Sequence, residues 1–143
     1  MSSNSVHLEF DVVGNNFVSA GSASNEVKGI LKQLGIDPLV IRKIAVAMYE
    51  GEINMVIHAG GGRAIVDIFE DKIEIVLIDT GEGIEDVELA MKEGYSTASE
   101  SIRNLGFGAG MGLPNMKRFS DKFELESEVG KGTTIKMSML FPE

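Results

Sequence analysis

Apolar residues recur along the chain with two different periods, and the switches between them mark out elements. Val6, Leu8, Phe10 and Val12 alternate with polar neighbours, so Ser5–Val13 reads as a half-buried strand. Phe17, Ala20, Ser24, Val27, Leu31 and Leu34 keep a helical period, and Gly35 supplies the stop. Asp37-Pro38 then gives an N-cap followed by proline at the first helical position. From Leu39 the pattern Val40, Ile44, Ala47, Met48, Gly51, Met55 is helical to about Ala59, where Gly60-Gly61-Gly62 is expected to end it. Arg63–Phe69 and Lys72–Ile78 read as strands joined by a tight turn at Glu70-Asp71. Asp79–Gly110 is long, polar and studded with glycine, with room for a short helix at Ile84–Lys92. Gly112–Asp121 fits a short helix with Leu113, Met116 and Phe119 inward, and Lys122–Glu128 and Thr133–Phe141 form a last hairpin.

This order, β-α-α-β-β-loop-α-β-β, lacks the strict β-α-β alternation of a doubly wound parallel sheet. It predicts an α+β two-layer sandwich: a mostly antiparallel mixed sheet with helices on one face. No repeat, linker or low-complexity segment interrupts it, so residues 1–143 are expected to form a single domain.

Composition narrows the function classes. The formal net charge of −9 makes nucleic acid and anionic membrane poor partners. The chain has no cysteine, so disulfides and thiolate metal sites are excluded. MSSNSVHLEF has neither a basic nor an apolar leader pattern, which points to the cytoplasm. The 17 glycines exceed the roughly ten that average usage would give, and most of the excess lies between Gly81 and Gly132.

Four constellations carry candidate chemistry. Glu50 and Asn54 are four apart on the second long helix and so project from one face, one turn apart. A carboxylate there can accept a proton, and an amide oxygen is a hard ligand suited to Mg²⁺; an exposed polar stripe is the plain alternative. Glu52, between them, is expected to point elsewhere into solvent. Asp79-Thr80-Gly81-Glu82-Gly83 follows an apolar strand, where a carboxylate can accept from an exocyclic amine and glycines admit a flat ring; an Asp-initiated turn has the same composition. Gly106, Gly108, Gly110 and Gly112, interleaved with Phe107, Ala109, Met111 and Leu113, open a helix, an arrangement that offers backbone N–H groups to phosphate without lysine. The spacing fits neither a Walker nor a dinucleotide-binding fingerprint. Gly130-Lys131-Gly132-Thr133-Thr134 is a hairpin turn entering the last strand, and read by itself it is only a turn.

In order and spacing these four, E-x-x-x-N, D-x-G-x-G, G-x-G-x-G-x-G and G-T, resemble the gyrase, chaperone and histidine-kinase ATPase superfamily, the Bergerat fold. The resemblance runs from about Ala45 to the end. Glu93-Gly94-Tyr95-Ser96-Thr97, Gly112-Leu113-Pro114-Asn115-Met116-Lys117-Arg118-Phe119 and Glu126 to Thr134 look most like the switch branch of the stand-alone anti-sigma-factor and serine/threonine kinases of bacterial stress and sporulation circuits. It implies ATP and Mg²⁺ as cofactors. Glu50 would be the general base and Asn54 the Mg²⁺ ligand; Asp79 would bind the adenine amine with Gly81 and Gly83 beside the ring. Gly106, Gly108, Gly110, Met111, Gly112 and Leu113 would shape the lid and phosphate contacts, and Thr133, with Thr134 as neighbouring candidate, would make a water-mediated contact to the base. Gly108 stands where some anti-sigma kinases carry an arginine facing the terminal phosphate; Arg103, Lys117 or Arg118 could substitute. Ala98–Leu105 is longer than in the switch kinases. His58 continues the Glu50/Asn54 face, where it either contacts phosphate or simply complements the helix dipole.

The resemblance implies a serine/threonine kinase acting on a small antagonist-type partner of an anti-sigma circuit. The alternative is a nucleotide-dependent module that sequesters a sigma factor or signalling partner with little catalysis, its lid, Glu82–Gly112, opening and closing with nucleotide. A histidine-kinase catalytic domain is disfavoured because no phosphoacceptor helix is present. The helical surface before Glu50 has room for a symmetric homodimer, which nothing in the pattern demands.

Overall fold

The computed structural model describes residues 5–14, 21–58 (His58 without its side chain), 60–81, 83, 91 and 112–142. The elements among the described residues are β1 (Val6–Val13), α1 (Ser22–Gln33), α2 (Pro38–His58), β2 (Gly61–Ile68), β3 (Lys72–Asp79), α3 (Gly112–Phe119), β4 (Lys122–Glu128) and β5 (Gly132–Leu140). The strands form a five-stranded sheet in the order β1-β2-β3-β5-β4. All four pairings are antiparallel, so the sheet holds no parallel pair among the described residues.

Alternation decides which face of the sheet is covered. Ala64, Val66 and Ile68 of β2, Ile73, Ile75 and Leu77 of β3, and Ile135, Met137 and Met139 of β5 are all buried. Because side chains alternate at every residue, these sets lie on one face. Onto it pack Ala23, Val27 and Leu31 of α1, Ile41, Ile44, Ala47, Met48 and Met55 of α2, and Leu113 and Met116 of α3. The opposite face is charged: His7 is bound by Asp67 at 2.6 Å and Glu9 at 2.8 Å, and Arg63 pairs with Glu9. Such exposed pairs add little stability but keep an open sheet face polar.

Helices α1 and α2 are joined as the sequence suggests. Gly35, with φ of 77°, lies in the left-handed region and donates to Lys32 O at 3.1 Å, while Ile36 N donates to Leu31 O at 3.1 Å. These two bonds close α1 as a Schellman motif. Asp37 Oδ1 then accepts from Leu39 N at 2.8 Å, capping α2 ahead of Pro38.

Boundaries depart from expectation at α1, whose described part begins at Ser22; Phe17 and Ala20 lie outside the described residues. The glycine run does not end α2 as a block either. Only Gly60 lies between helix and strand, while Gly61 and Gly62 belong to β2 and pair with Val13 and Val12. A Cβ on Gly61 would stand 2.2 Å from Val12 O, and one on Gly62 2.4 Å from Ile78 O. These glycines let three strands close up, which sequence composition cannot distinguish from a helix stop. The short helix expected at Ile84–Lys92 lies outside the described residues except for Met91, a turn residue packed on the core. No helix among the described residues is long and apolar enough to cross a membrane.

Two glycines should respond oppositely to alanine. Gly132 has φ of 131°, and a Cβ there would lie 2.2 Å from Asp79 O. Gly132→Ala is expected to cost about 3 kcal/mol through backbone strain and displacement of β3. Gly29 sits inside α1 with nothing within 4 Å of its would-be Cβ. Gly29→Ala should gain roughly 0.8–1 kcal/mol from helix propensity. Urea denaturation of both variants checks the pair.

Candidate functional site

The site is organised around α2 where it meets the end of β3. Gly51 is buried there, and a Cβ on it would lie 2.1 Å from Leu77 Cδ1 and 3.5 Å from Met116 Sδ. Its missing side chain allows helix and sheet to touch. Successive residues turn by about 100° around a helix axis. With Gly51 facing the sheet, Glu50 lies on one flank and Glu52 on the other, and Asn54 returns to the flank of Glu50.

Glu52 is not solvated, contrary to expectation. It is 2% exposed, and its two oxygens accept from the N-terminus of α1: Oε2 from Gly21 N at 3.0 Å and Oε1 from Ser24 N at 2.7 Å. Gly21, the N-cap, has a left-handed conformation and no capping side chain of its own. A carboxylate from the neighbouring helix therefore does the capping, and the positive end of the α1 dipole balances its charge. The tertiary placement of α1 decides this, so the α2 pattern alone could not reveal it. The signal that could have found it was an acidic residue on the helix's inner half, with no capping residue at Gly21.

Glu50 and Asn54 occupy the flank turned away from α1, and both are half-buried. Burial holds the Glu50 carboxyl above its ordinary range. Tyr49 rests on Gly21, with its Cε1 2.9 Å from where a Cβ would be. Its hydroxyl is shifted upward by burial first, then by the nearby carboxylates of Glu50 and Glu52.

Asp79 ends β3 on the helix-covered face and pairs across the ladder with Thr133. Asp79 Oδ1 accepts from Gly81 N at 3.0 Å and from Thr133 N at 3.2 Å. These bonds fix the carboxylate in orientation and both use the same oxygen, so Oδ2 suits a further N–H such as an exocyclic amine. An acceptor held this way fits the exocyclic amine of an adenine. Gly83 approaches so closely that a Cβ would be 2.4 Å from Glu128 O, which draws the segment after β3 against the β4–β5 turn. Thr133 is buried, and its hydroxyl hydrogen-bonds Ser127 Oγ at 2.8 Å. Thr134 pairs with Ile78 and lies on the opposite face, so of the two threonines Thr133 shares the face of Glu50, Asn54 and Asp79. Ser127, which hydrogen-bonds the Thr133 hydroxyl, lies in the stretch that resembles the switch kinases, but the sequence alone assigns it no role of its own.

Gly112 and Leu113 open α3, as expected, with Leu113 buried. Gly106, Gly108, Gly110 and Met111 lie outside the described residues, as do Arg103 and the His58 side chain. Lys117 and Arg118 are exposed in the last turn of α3.

Residues 39–143 match the family model described as histidine kinase-, DNA gyrase B-, and HSP90-like ATPase. The chain belongs to this ATPase family. Within it the chain is of the anti-sigma kinase type. It is 40% identical over 110 residues to an anti-sigma F factor of Caldanaerobacter subterraneus subsp. tengcongensis, covering 72% of this chain and 73% of that one. It is 32% identical over 112 residues to the serine/threonine-protein kinase RsbT of Bacillus subtilis, covering 76% and 78%. Among solved structures, the RsbU and RsbW domains of Rv1364c from Mycobacterium tuberculosis superpose with a TM-score of 0.61 at 15% identity, covering 99% of this chain and 34% of that one. The mycobacterial sensor histidine kinase MprB gives 0.53 at 18% identity, covering 95% and 98%. These two likenesses establish the shared ATPase fold.

Two stability predictions follow from the pair of glutamates. Glu52→Ala leaves two buried N–H groups without an acceptor and should cost about 2–4 kcal/mol; a urea midpoint equal to wild type would remove the capping role. For Glu50, the folded state binds the proton more tightly than the unfolded chain. Stability therefore falls as pH rises through the interval from the unfolded to the folded value. Glu50→Gln should stabilise the protein at pH about 8, with the gain vanishing below an unfolded carboxylate pKa of about 4.3. Urea titrations at both ends of the range measure this, and a glutamine variant no more stable at the upper end contradicts it.

Proposed function

We propose that the protein is a Mg²⁺/ATP-dependent serine/threonine kinase that phosphorylates a hydroxyl on a small antagonist-type partner of an anti-sigma circuit. Membership of the ATPase family and the kinase and anti-sigma names of its relatives support this reading. The observation that supports it is that Glu50 and Asn54 stand one turn apart on α2, whose Gly51 packs on Leu77, two residues before Asp79 and its ladder partner Thr133.

ATP would supply the phosphoryl group and Mg²⁺ would neutralise its oxygens. This chain's residues would bind and orient. Asp79 would accept from the adenine amine, with the backbone of Gly81 and Gly83 beside the ring and Thr133 reaching the base through water. Asn54 would offer its amide oxygen to Mg²⁺. The backbone of Gly106, Gly108, Gly110, Met111, Gly112 and Leu113 would meet the phosphates together with the N-terminus of α3. Glu50 would accept the proton of the incoming hydroxyl, a task eased by a carboxyl already held above its usual range.

Gly108, where a cation could face the terminal phosphate, is the feature that favours the second reading, a nucleotide-dependent binding module. Calorimetric titration of ATP and ADP with and without Mg²⁺, paired with transfer of labelled phosphate to an antagonist protein of the anti-sigma class, separates them. Glu50→Ala should keep nucleotide affinity and lose transfer by roughly 100- to 10,000-fold. Asn54→Ala should lose the dependence of binding on Mg²⁺. Transfer by Glu50→Ala at the wild-type rate would remove Glu50 from its role, and tight ATP binding with no transfer by wild type would select the binding module.

A further inference from the structure

At the corner where α1 hands over to α2, a groove of about 430 Å³ is lined by Lys28, Lys32, Ile36, Pro38, Ile41 and Arg42. Its floor is apolar and every charged residue in its lining is a cation. That is unexpected on a chain of net charge −9. Among the described residues none of the three cations takes part in an ion pair.

Local helix physics accounts for only one of them. Lys32 lies in the last turn of α1 and complements the helix dipole. Lys28 stands one turn earlier, and a like-charged pair at i, i+4 is destabilising by a few tenths of a kcal/mol. Arg42 comes from the other helix and adds a third positive charge to the same wall. The nearest acidic residue in the connection, Asp37, is occupied in capping α2 through Leu39 N. The same corner exposes Leu34 at 52% and Leu39 at 71%, two of the large apolar residues left in solvent.

We infer that this groove docks an acidic amphipathic helix of a partner protein. Carboxylates one turn apart on such a helix repeat the spacing of Lys28 and Lys32, and the aliphatic side chains beside them meet Ile36, Ile41 and the exposed Leu39. Arg42 faces the occupant from α2. The surface is separate from the Glu50 site: Arg42 precedes Glu50 by eight residues of α2, about 12 Å along the helix. Partner and nucleotide can therefore be held at once. The inference does not depend on phosphoryl transfer.

The test uses the full chain and a fluorescein-labelled helical peptide with Glu at i, i+4 and Leu on the adjoining stripe, followed by fluorescence anisotropy. A peptide with Lys in place of Glu is the control. The acidic peptide should bind, weaken as salt rises from about 50 to about 300 mM, and bind roughly tenfold or more weakly to Lys28→Glu/Lys32→Glu and to Arg42→Glu. All three positions are exposed, so thermal melting and ATP titration of the variants should match wild type. No binding of the acidic peptide, equal binding of the basic one, or unchanged affinity in the variants would overturn the inference. A changed sedimentation coefficient in the charge-reversed variants would also overturn it, because the occupant would then be a second copy of this chain.

Discussion

The contact between Gly51 and Leu77 is the constraint on which the site depends. A helix crossing a sheet is normally held off by its side chains, at about 10 Å from axis to strand. Here α2 carries no side chain where Gly51 meets β3, and a Cβ would lie 2.1 Å from Leu77 Cδ1. Close approach at Gly51 lowers the neighbouring residues onto the strand ends. Asp79 stands two residues beyond Leu77 on the same face of β3, and Glu50 and Asn54 lie on the α2 flank next to Gly51. Met116 of α3 closes over the same spot, so a single missing side chain sets the distance of three elements.

The same contact divides the two glutamates. With Gly51 fixed against the sheet, helix geometry sends Glu50 and Glu52 to opposite flanks. Glu52 is buried against backbone N–H groups and serves as the cap that α1 lacks. Glu50 is half-buried, without such donors among the described residues, and its carboxyl is raised by burial. Identical side chains two residues apart thus have different surroundings: one caps the N-terminus of α1, and the other lies on the opposite flank of α2. Tyr49, lying on Gly21, ties the two surroundings together: movement of α1 would disturb both the cap and the surroundings of Glu50.

The helix–sheet plan was legible in the sequence because its signals were periodic and locally punctuated. Gly35 and Asp37-Pro38 set the boundary between α1 and α2 through bonds that their own backbone and side chains make. Alternation placed all five strands and both hairpins. The candidate site was legible as motif order, since Glu50, Asn54, Asp79 and Thr133 stand at spacings that one family shares. What escaped were features made by tertiary contact. Glu52 looked like a surface residue because nothing in its own helix shows that α1 ends over it. Gly61 and Gly62 looked like a helix stop because composition does not say that Val12 O and Ile78 O lie within 2.4 Å of their missing Cβ atoms. The basic corner was invisible because Lys28 and Arg42 are far apart in sequence and only the α1–α2 turn brings them to one groove.

An acidic chain that receives an anionic ligand needs positive potential at one place and not elsewhere, and the described helices differ in how their N-termini are used. The positive end of α1 is taken by Glu52 and that of α2 by Asp37. The first turn of α3, Gly112-Leu113-Pro114-Asn115, carries no acidic residue. Its dipole is therefore the one not already neutralised by a carboxylate of the described residues, and it follows directly on the run of alternating glycines. Backbone N–H groups and one open helix end can supply the attraction that a lysine would supply in a different phosphate site. Lys28, Lys32 and Arg42, which form no ion pair among the described residues, stand apart from that helix end at the α1–α2 corner, where we place a protein partner. On this reading, nucleotide recognition through the backbone dipole of α3 and protein recognition through side-chain charge on α1 and α2 would be separable properties, governed by different helices.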